Sequence, residues 1–326
     1  MVRALVIDHE DGGLTARVRE LDDAALPDGE VAVRVEYSSI NYKDAMILAG
    51  LGRLVRTYPH VPGIDLAGRV LTSSDPRYVP GQSVVLTGWR VGELWWGGCA
   101  EQARVRADWL VPLPESMTPR DAMVIGTAGL TAALAIDELE RAGLTPGAGP
   151  VLVTGATGGL GSTAVHLLSR WGHEPAAATG KPQAAEHLRA LGAHQVVDAA
   201  PLAEPAGRPL LTERWAGCVD AVGGATLAHV LAELRYGAAV ALCGNASGVT
   251  FDGNVLPFLL RAVRAIGIDS VVAPYERRVA AWQRIATTAD LAALAGQVRE
   301  VGLEDVPAAA SELLAGRVRG RILVRP

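Results

Sequence analysis

Positive charge is not in excess in this chain of 326 residues: Lys and Arg total 30 against 35 Asp and Glu, a formal net charge of −5. That balance leaves no footprint for nucleic acid or an anionic membrane, although a local basic pocket is compatible with it. Cysteine is scarce too. Cys99, Cys218 and Cys243 stand too far apart for a metal knuckle or a disulfide framework. Cys218 and Cys243 lie in apolar, strand-like runs and read as small buried hydrophobes. Cys99, between Gly98 and Ala100, leaves a reactive thiol open. No apolar run reaches the roughly 18 residues of a membrane span. The longest candidate, Ala122 to Ile136, is broken by Gly126, Thr127, Gly129 and Thr131 and stops at Asp137. The apolar run after Met1 is too short for a secretory signal and reads as a first strand, so a cytoplasmic protein is expected. Internal repeats and low-complexity tracts are lacking, and Ala199 to Pro209 is a Pro/Ala-rich loop.

What is present describes a globular protein, and its length points to two domains. Val31, Val33, Val35 and Tyr37 alternate with Ala32, Arg34 and Glu36, the period of a half-buried strand. Short strand-like runs recur at 68–71, 83–86, 103–106 and 110–113, separated by Pro62-Gly63, Pro76, Pro80-Gly81 and Gly97-Gly98. Many short strands with few helices predict a β-barrel-like domain over roughly the first 120 residues. From Asp121 to Arg141 the chain is rich in Ala, Leu, Ile and Met, and helices are expected to bridge into the second domain. There, strand-like runs at 151–154, 176–179, 195–198, 218–222, 239–243 and 265–270 alternate with helical ones at 160–171, 182–191 and 225–235. This order predicts right-handed βαβ units and a parallel sheet. Past Pro274 the chain reads as helical, and Gly320 to Val324 as a closing strand.

The stretch Val151-Leu152-Val153-Thr154-Gly155-Ala156-Thr157-Gly158-Gly159-Leu160-Gly161 has the order strand, tight turn, helix. Glycines at such a turn let the backbone approach a phosphate, and the following helix start favours negative charge. The glycines depart from the strict G-x-G-x-x-G spacing, and glycine-rich turns also serve plain packing. The surrounding βαβ pattern favours a dinucleotide site. NAD-binding versions carry an acid about twenty residues past the loop, on the ribose hydroxyls. Here the second strand ends in Ala178-Thr179-Gly180-Lys181. A lysine attracts a 2′-phosphate that a carboxylate would repel, so NADPH is the expected cofactor, unless Lys181 is merely a solvated loop residue.

Several motifs carry a resemblance: Asn41-Tyr42-Lys43-Asp44, Pro62-Gly63-Ile64-Asp65-Leu66-Ala67-Gly68, Gly81-Gln82-Ser83-Val84, Gly126-Thr127-Ala128-Gly129-Leu130-Thr131-Ala132 and Gly158-Gly159-Leu160-Gly161. The chain is similar to the medium-chain dehydrogenase/reductase superfamily. Leu86-Thr87-Gly88-Trp89, Trp96-Gly97-Gly98, Ala100 to Val105, Asp108 to Val111, Glu276-Arg277-Arg278 and Trp282-Gln283-Arg284 resemble more narrowly its zinc-free acryloyl-CoA reductase branch, earlier grouped with quinone oxidoreductases. The resemblance spans essentially the whole chain. It implies an α/β plus β protein: a GroES-like β-barrel catalytic domain over 1–123 and 295–326, and a Rossmann NADPH-binding domain over 124–294. Zinc-dependent members place His-Glu where Ile64-Asp65 stands, and they hold a structural zinc on four close cysteines. No metal is therefore expected, which disfavours alcohol dehydrogenation and leaves hydride addition to a polarised double bond feasible.

The implied reaction is NADPH-dependent reduction of acryloyl-CoA to propionyl-CoA, with enolate charge developing on the thioester oxygen. The expected catalytic residues are Tyr42, near the nicotinamide, with Asn41 and Asp44 orienting ribose or substrate. Tyr42 as a core tyrosine and Asp44 as a helix cap stay open. The expected cofactor-binding residues are Thr127, Thr131, Gly158, Gly159, Leu160, Gly161, Ser162, Thr179, Gly180, Lys181 and Asn245. Arg53 and Arg56 share a face if their segment is helical, and would meet the coenzyme A phosphates; a plain solvated pair is the alternative. Trp89, Trp95 and Trp96 could line a cleft or anchor the core. The resemblance also implies a homodimer. An NADPH:quinone reductase and a catalytically silent nucleotide-binding protein are the competing functions.

Overall fold

The structure is a computed structural model and describes residues 1–10 and 13–326. Its strands, in chain order, are β1 (Val2–Glu10), β2 (Gly13–Leu21), β3 (Val31–Ile40), β4 (Asp65–Ser73), β5 (Ser83–Thr87), β6 (Gln102–Val105), β7 (Val111–Pro112), β8 (Pro150–Val153), β9 (Glu174–Thr179), β10 (Gln195–Asp198), β11 (Trp215–Asp220), β12 (Leu234–Leu242), β13 (Arg264–Gly267), β14 (Val298–Val301) and β15 (Arg321–Val324). Two compact units share them: Met1–Thr127, Ser270–Ala286 and Ala295–Pro326 form the first, and Ala128–Asp269 with Thr287–Leu294 the second. The division expected from resemblance keeps 124–294 together, whereas the segment Ser270–Ala286 packs in the first unit.

The first unit holds a seven-stranded sheet in the order β14-β15-β3-β4-β5-β7, with β6 also pairing β3, and the β1–β2 hairpin beside it. The alternation of Val31, Val33 and Val35 sends these side chains into one core with Leu66, Val70, Val84 and Leu86. A second core joins β1 to Ile40, Val61, Val306, Ile322 and Val324. The last strand thus returns to this unit and pairs with β3 through Ile322 opposite Ile40. The run after Met1 forms β1 as expected, whereas its hairpin partner β2, the edge strand β14 and a helix over Tyr42–Leu48 lie outside the elements predicted from sequence.

The second unit is a six-stranded sheet in the order β10-β9-β8-β11-β12-β13, every neighbouring pair parallel. Counted within the unit this is 3-2-1-4-5-6, the doubly wound dinucleotide-binding order, whose direction reverses between β8 and β11. Ligands of such sheets bind at the strand carboxyl ends beside that reversal. The helix Gly159–Arg170 buries the unbroken run from Gly161 to Leu168, with Ala164, Val165, Leu167 and Leu168 as its larger apolar members. Trp215, Leu231, Leu234 and Val240 fill the core on a face of this sheet.

The helix Pro119–Arg141 carries the chain from the first unit to the second and changes direction at Gly126, whose φ of 54° and ψ of −162° are not helical. By length and composition this helix could cross a membrane, but 78% of its apolar window is buried inside the protein.

Candidate active site

At the carboxyl end of β8 the chain turns through Gly155 at φ 60° and enters the helix Gly159–Arg170 behind Gly158, which offers no side-chain cap. The first-turn N–H groups of Gly159, Leu160 and Gly161 have no carbonyl within the helix to receive them, which suits an anion. A side chain at Gly161 would collide with the Gly155 carbonyl and the Ala156 main chain. Ser162 is buried, its hydroxyl 3.4 Å from the Gly159 carbonyl oxygen. β9 ends at buried Thr179, whose hydroxyl accepts the Lys181 N–H at 3.0 Å. Gly180 beside it has open space where a Cβ would stand.

The strand ends at the reversal are latched to each other. Asp220, fully buried at the end of β11, accepts the Thr154 hydroxyl at 2.5 Å and the N–H groups of Val222 and Gly223 at 3.2 and 3.0 Å. Thr154 in turn accepts the Ala221 N–H at 3.0 Å. Burial pushes the Asp220 carboxyl up, against the pull of those donors. Asn245, exposed beyond β12, lies against Gly223, where a Cβ would come 3.4 Å from the Asn245 Cα. Phosphate-ready glycines, the latch and Asn245 therefore share the carboxyl end of one sheet. Asn245 is among the residues expected from sequence, whereas Thr154 and Asp220 are not, because their pairing joins residues far apart in the chain. Thr131 is buried within the helix that enters this unit.

In the first unit Tyr42 is half exposed, at 50%, at the start of the helix Tyr42–Leu48. It is not a core tyrosine. Asp44 is buried and Asn41 part-buried, and both side chains are hydrogen-bonded within the first unit. The Asp44 carboxylate accepts the Asn41 N–H at 2.8 Å and the Gly63 and Ile64 N–H groups at 3.2 and 2.9 Å. It caps the helix and ties it to the turn before β4. Burial raises its pKa to about 7, with the Asn41 and Ile64 donors opposing that rise and the nearby Asp65 adding to it.

The Asn41 amide is held between two charges: its oxygen accepts from Arg321 Nη1 at 2.8 Å, and its nitrogen donates to Asp65 Oδ2 at 2.9 Å. Thr127 also belongs to this cluster, donating its N–H and hydroxyl to Asp65 at 2.9 and 2.5 Å.

Arg53 and Arg56 are both exposed, but the helix that would have aligned them ends at Leu48. Gly50 and Gly52, with φ of 70° and 77°, and Arg53 itself at 47°, make a turn in its place. Trp89 faces the buried Arg278 guanidinium, and Trp95 meets Trp109 edge to face while donating to the Arg104 carbonyl. These tryptophans pack within the first unit, as does Trp96 against its core. Cys99 is buried, and burial pushes its thiol well up, which removes the reactive-thiol reading.

A doubly wound nucleotide unit joined to a mostly antiparallel β unit defines a dinucleotide-dependent oxidoreductase fold. The alcohol dehydrogenase GroES-like domain family matches residues 27–115, and the zinc-binding dehydrogenase family matches residues 159–292. The chain belongs to the medium-chain dehydrogenase/reductase superfamily, in its quinone oxidoreductase-like group. It is 54% identical to acrylyl-CoA reductase AcuI of Ruegeria pomeroyi, over 99% of both chains. It is 41% identical to the putative quinone oxidoreductase YhfP of Bacillus subtilis, over 100% of this chain and 99% of that one. Among solved structures, the YhdH oxidoreductase of Salmonella enterica in complex with NADP matches at a TM-score of 0.96 and 46% identity, over 99% of each chain. Escherichia coli YhdH with bound NADPH matches at 0.95 and 47%, again over 99% of each.

Proposed function

We propose that this protein is an NADPH-dependent reductase of the activated C=C bond of acryloyl-CoA, giving propionyl-CoA. The full-length likeness to the Ruegeria reductase carries this reading. The residues of the second unit fit the cofactor. Gly158, Gly159, Leu160, Gly161 and Ser162 would hold the pyrophosphate, Thr179, Gly180 and Lys181 the 2′-phosphate, and Asn245 and Thr131 would complete the binding set, while Thr127 gives its N–H and hydroxyl to Asp65 in the first unit. When bound, NADPH supplies a hydride. On the substrate, the hydride adds to the β-carbon, the alkene electron pair moves toward the thioester oxygen, and a proton closes the α-carbon. Tyr42 is the group proposed to donate a hydrogen bond to that oxygen. Arg53 and Arg56 would meet the coenzyme A phosphates from their exposed loop.

No zinc is assigned to this chemistry, because the residues do not fit one. Ile64 offers no donor where zinc-dependent members have histidine, and both Asp65 oxygens are already engaged by Thr127, Asn41 and Ser39. No group of three His, Cys, Asp or Glu suited to a metal occurs among the described residues. A cytoplasmic homodimer completes the reading. The homodimer is supported by β13, which pairs with β12 alone among the described strands, and by the exposed Val255, Leu259 and Leu260 that precede it in the chain. Quinone reduction is the second reading, favoured by the likeness to YhfP. Product identification with acryloyl-CoA and NADPH, beside a panel of quinones, decides between them. Propionyl-CoA formation is expected, and turnover of quinones alone would overturn the first reading. Tyr42→Phe is expected to lower kcat by about 10²-fold, as loss of one oxyanion donor does, and intact turnover would remove the phenol's role.

A further inference from the structure

Beneath Tyr42 the first unit buries an ion pair that the proposed chemistry does not itself use. Asp65 is fully buried and Arg321 is 6% exposed, with Nη2 of the arginine 3.5 Å from Oδ2 of the aspartate. A buried pair of this kind gains little net stability over an apolar isostere, because both ions are desolvated. Its hydrogen bonds, however, converge on two segments that matter. Arg321 donates to Asn41 Oδ1, to Ser39 Oγ at 2.8 Å and to the Met123 carbonyl at 3.2 Å. Asp65 accepts from Ser39 at 2.7 Å, from the Asn41 amide, and from both the N–H and the hydroxyl of Thr127. The Asn41 amide therefore has a single permitted orientation, oxygen to the cation and nitrogen to the anion. Gly126 completes the fit, since a side chain there would collide with Arg321 Nη2 and press on Asp65 Oδ2.

We infer that Asp65 and Arg321 are positioning residues for hydride transfer: through Asn41 and Thr127 they fix the start of the Tyr42 helix and the main chain at 126–127 as one rigid piece. The inference rests on the proposed role of the Asn41–Tyr42 segment in the reaction. A displaced group near a reacting centre costs rate rather than affinity for a remote part of the ligand. Its signature is therefore a fall in kcat with NADPH affinity kept, because the glycine cradle belongs to the other unit.

The test measures Asp65→Asn, Arg321→Lys and Tyr42→Phe with whichever acceptor the wild type reduces, at a temperature well below each variant's Tm, with the NADPH Kd measured separately. Asp65→Asn is expected to lose about 10²-fold in kcat, with its NADPH Kd within about twofold of wild type. Arg321→Lys keeps the buried charge but cannot span Asn41 and Ser39 together, and is expected to fall between. Should Asp65→Asn not fold, Arg321→Lys carries the test alone. Unchanged kcat in a folded Asp65→Asn or Arg321→Lys protein, or a fall matched by an equal loss of NADPH affinity, overturns the inference. A loss in Asp65→Asn with none in Tyr42→Phe supports the pair as the anchor of the 41–42 main chain and retires the phenol.

Discussion

In the proposed function Lys181 is the residue on which the choice of cofactor would turn. A charge-assisted hydrogen bond to a 2′-phosphate is worth roughly 1.5–3 kcal/mol, so Lys181→Ala should raise the NADPH KM by about ten- to a hundredfold. The KM for NADH should stay where it is, and steady-state kinetics with both cofactors checks the difference. Asp44 acts on stability instead. Its folded-state pKa, about 7, lies above the ordinary 3.8, so the folded protein holds a proton that the unfolded chain has released. That contribution to stability is complete below pH 3.8 and is lost as pH rises through about 7. His60 and His166, buried and held below the ordinary 6.5, work in the opposite sense: theirs is complete above 6.5 and lost on acidification. Asp44→Asn should therefore flatten the decline between pH 4 and 7, on top of a loss of about 1–3 kcal/mol from N–H groups left facing an amide. Denaturant midpoints across that range measure both effects.

Among the elements, the helix Pro119–Arg141 depends most on one residue. Gly126 has a positive φ and no space for a Cβ, so Gly126→Ala should lower stability by about 3 kcal/mol or more and disturb the Asp65–Arg321 pair at the same time. Thermal denaturation with kcat in parallel reads both consequences. The elements visible in the sequence are those with a strong apolar signature. β3 alternates Val31, Val33 and Val35, and the βαβ strands 150–153, 174–179 and 215–220 are buried on both faces and read as continuous apolar runs. The hairpin strand Gly13–Leu21 and the edge strand Val298–Val301 bury no residue fully, so no periodicity announces them. The helix Tyr42–Leu48 is only two turns long, and its one clear signal, Asn41 with Asp44 three residues on, is a capping pattern. The glycine cradle is local in sequence and was legible. The Asp65–Arg321 cluster and the Thr154–Asp220 latch join distant polar residues, and polar burial leaves no pattern in a single chain.

At the scale of the whole molecule, association and architecture are separable. For the proposed homodimer, Leu259→Glu with Leu260→Glu places charge on the exposed helix that precedes β13 in the chain and is expected to shift it to monomer in analytical ultracentrifugation, with the first unit's fold intact. Two of the four places where the chain crosses between the units, at 127/128 and 269/270, are tied down on the first unit's side by a buried arginine. Arg321 holds Met123 and, through Asp65, Thr127. Arg278 donates to the carbonyls of Ser270, Val271, Ala273 and Thr87 while stacking on Trp89. Leu in place of Arg278 would remove these four donations at once, at a cost of about 0.5–1.5 kcal/mol each. Asp65 has a bearing on protein engineering as well. Grafting the histidine–glutamate pair of zinc enzymes onto positions 64 and 65 would ask a longer carboxylate to serve a cation while Thr127, Asn41 and Ser39 lost their acceptor. The transplanted site would dismantle the scaffold meant to hold it, so a metalloenzyme cannot be recovered from this chain by exchanging two residues.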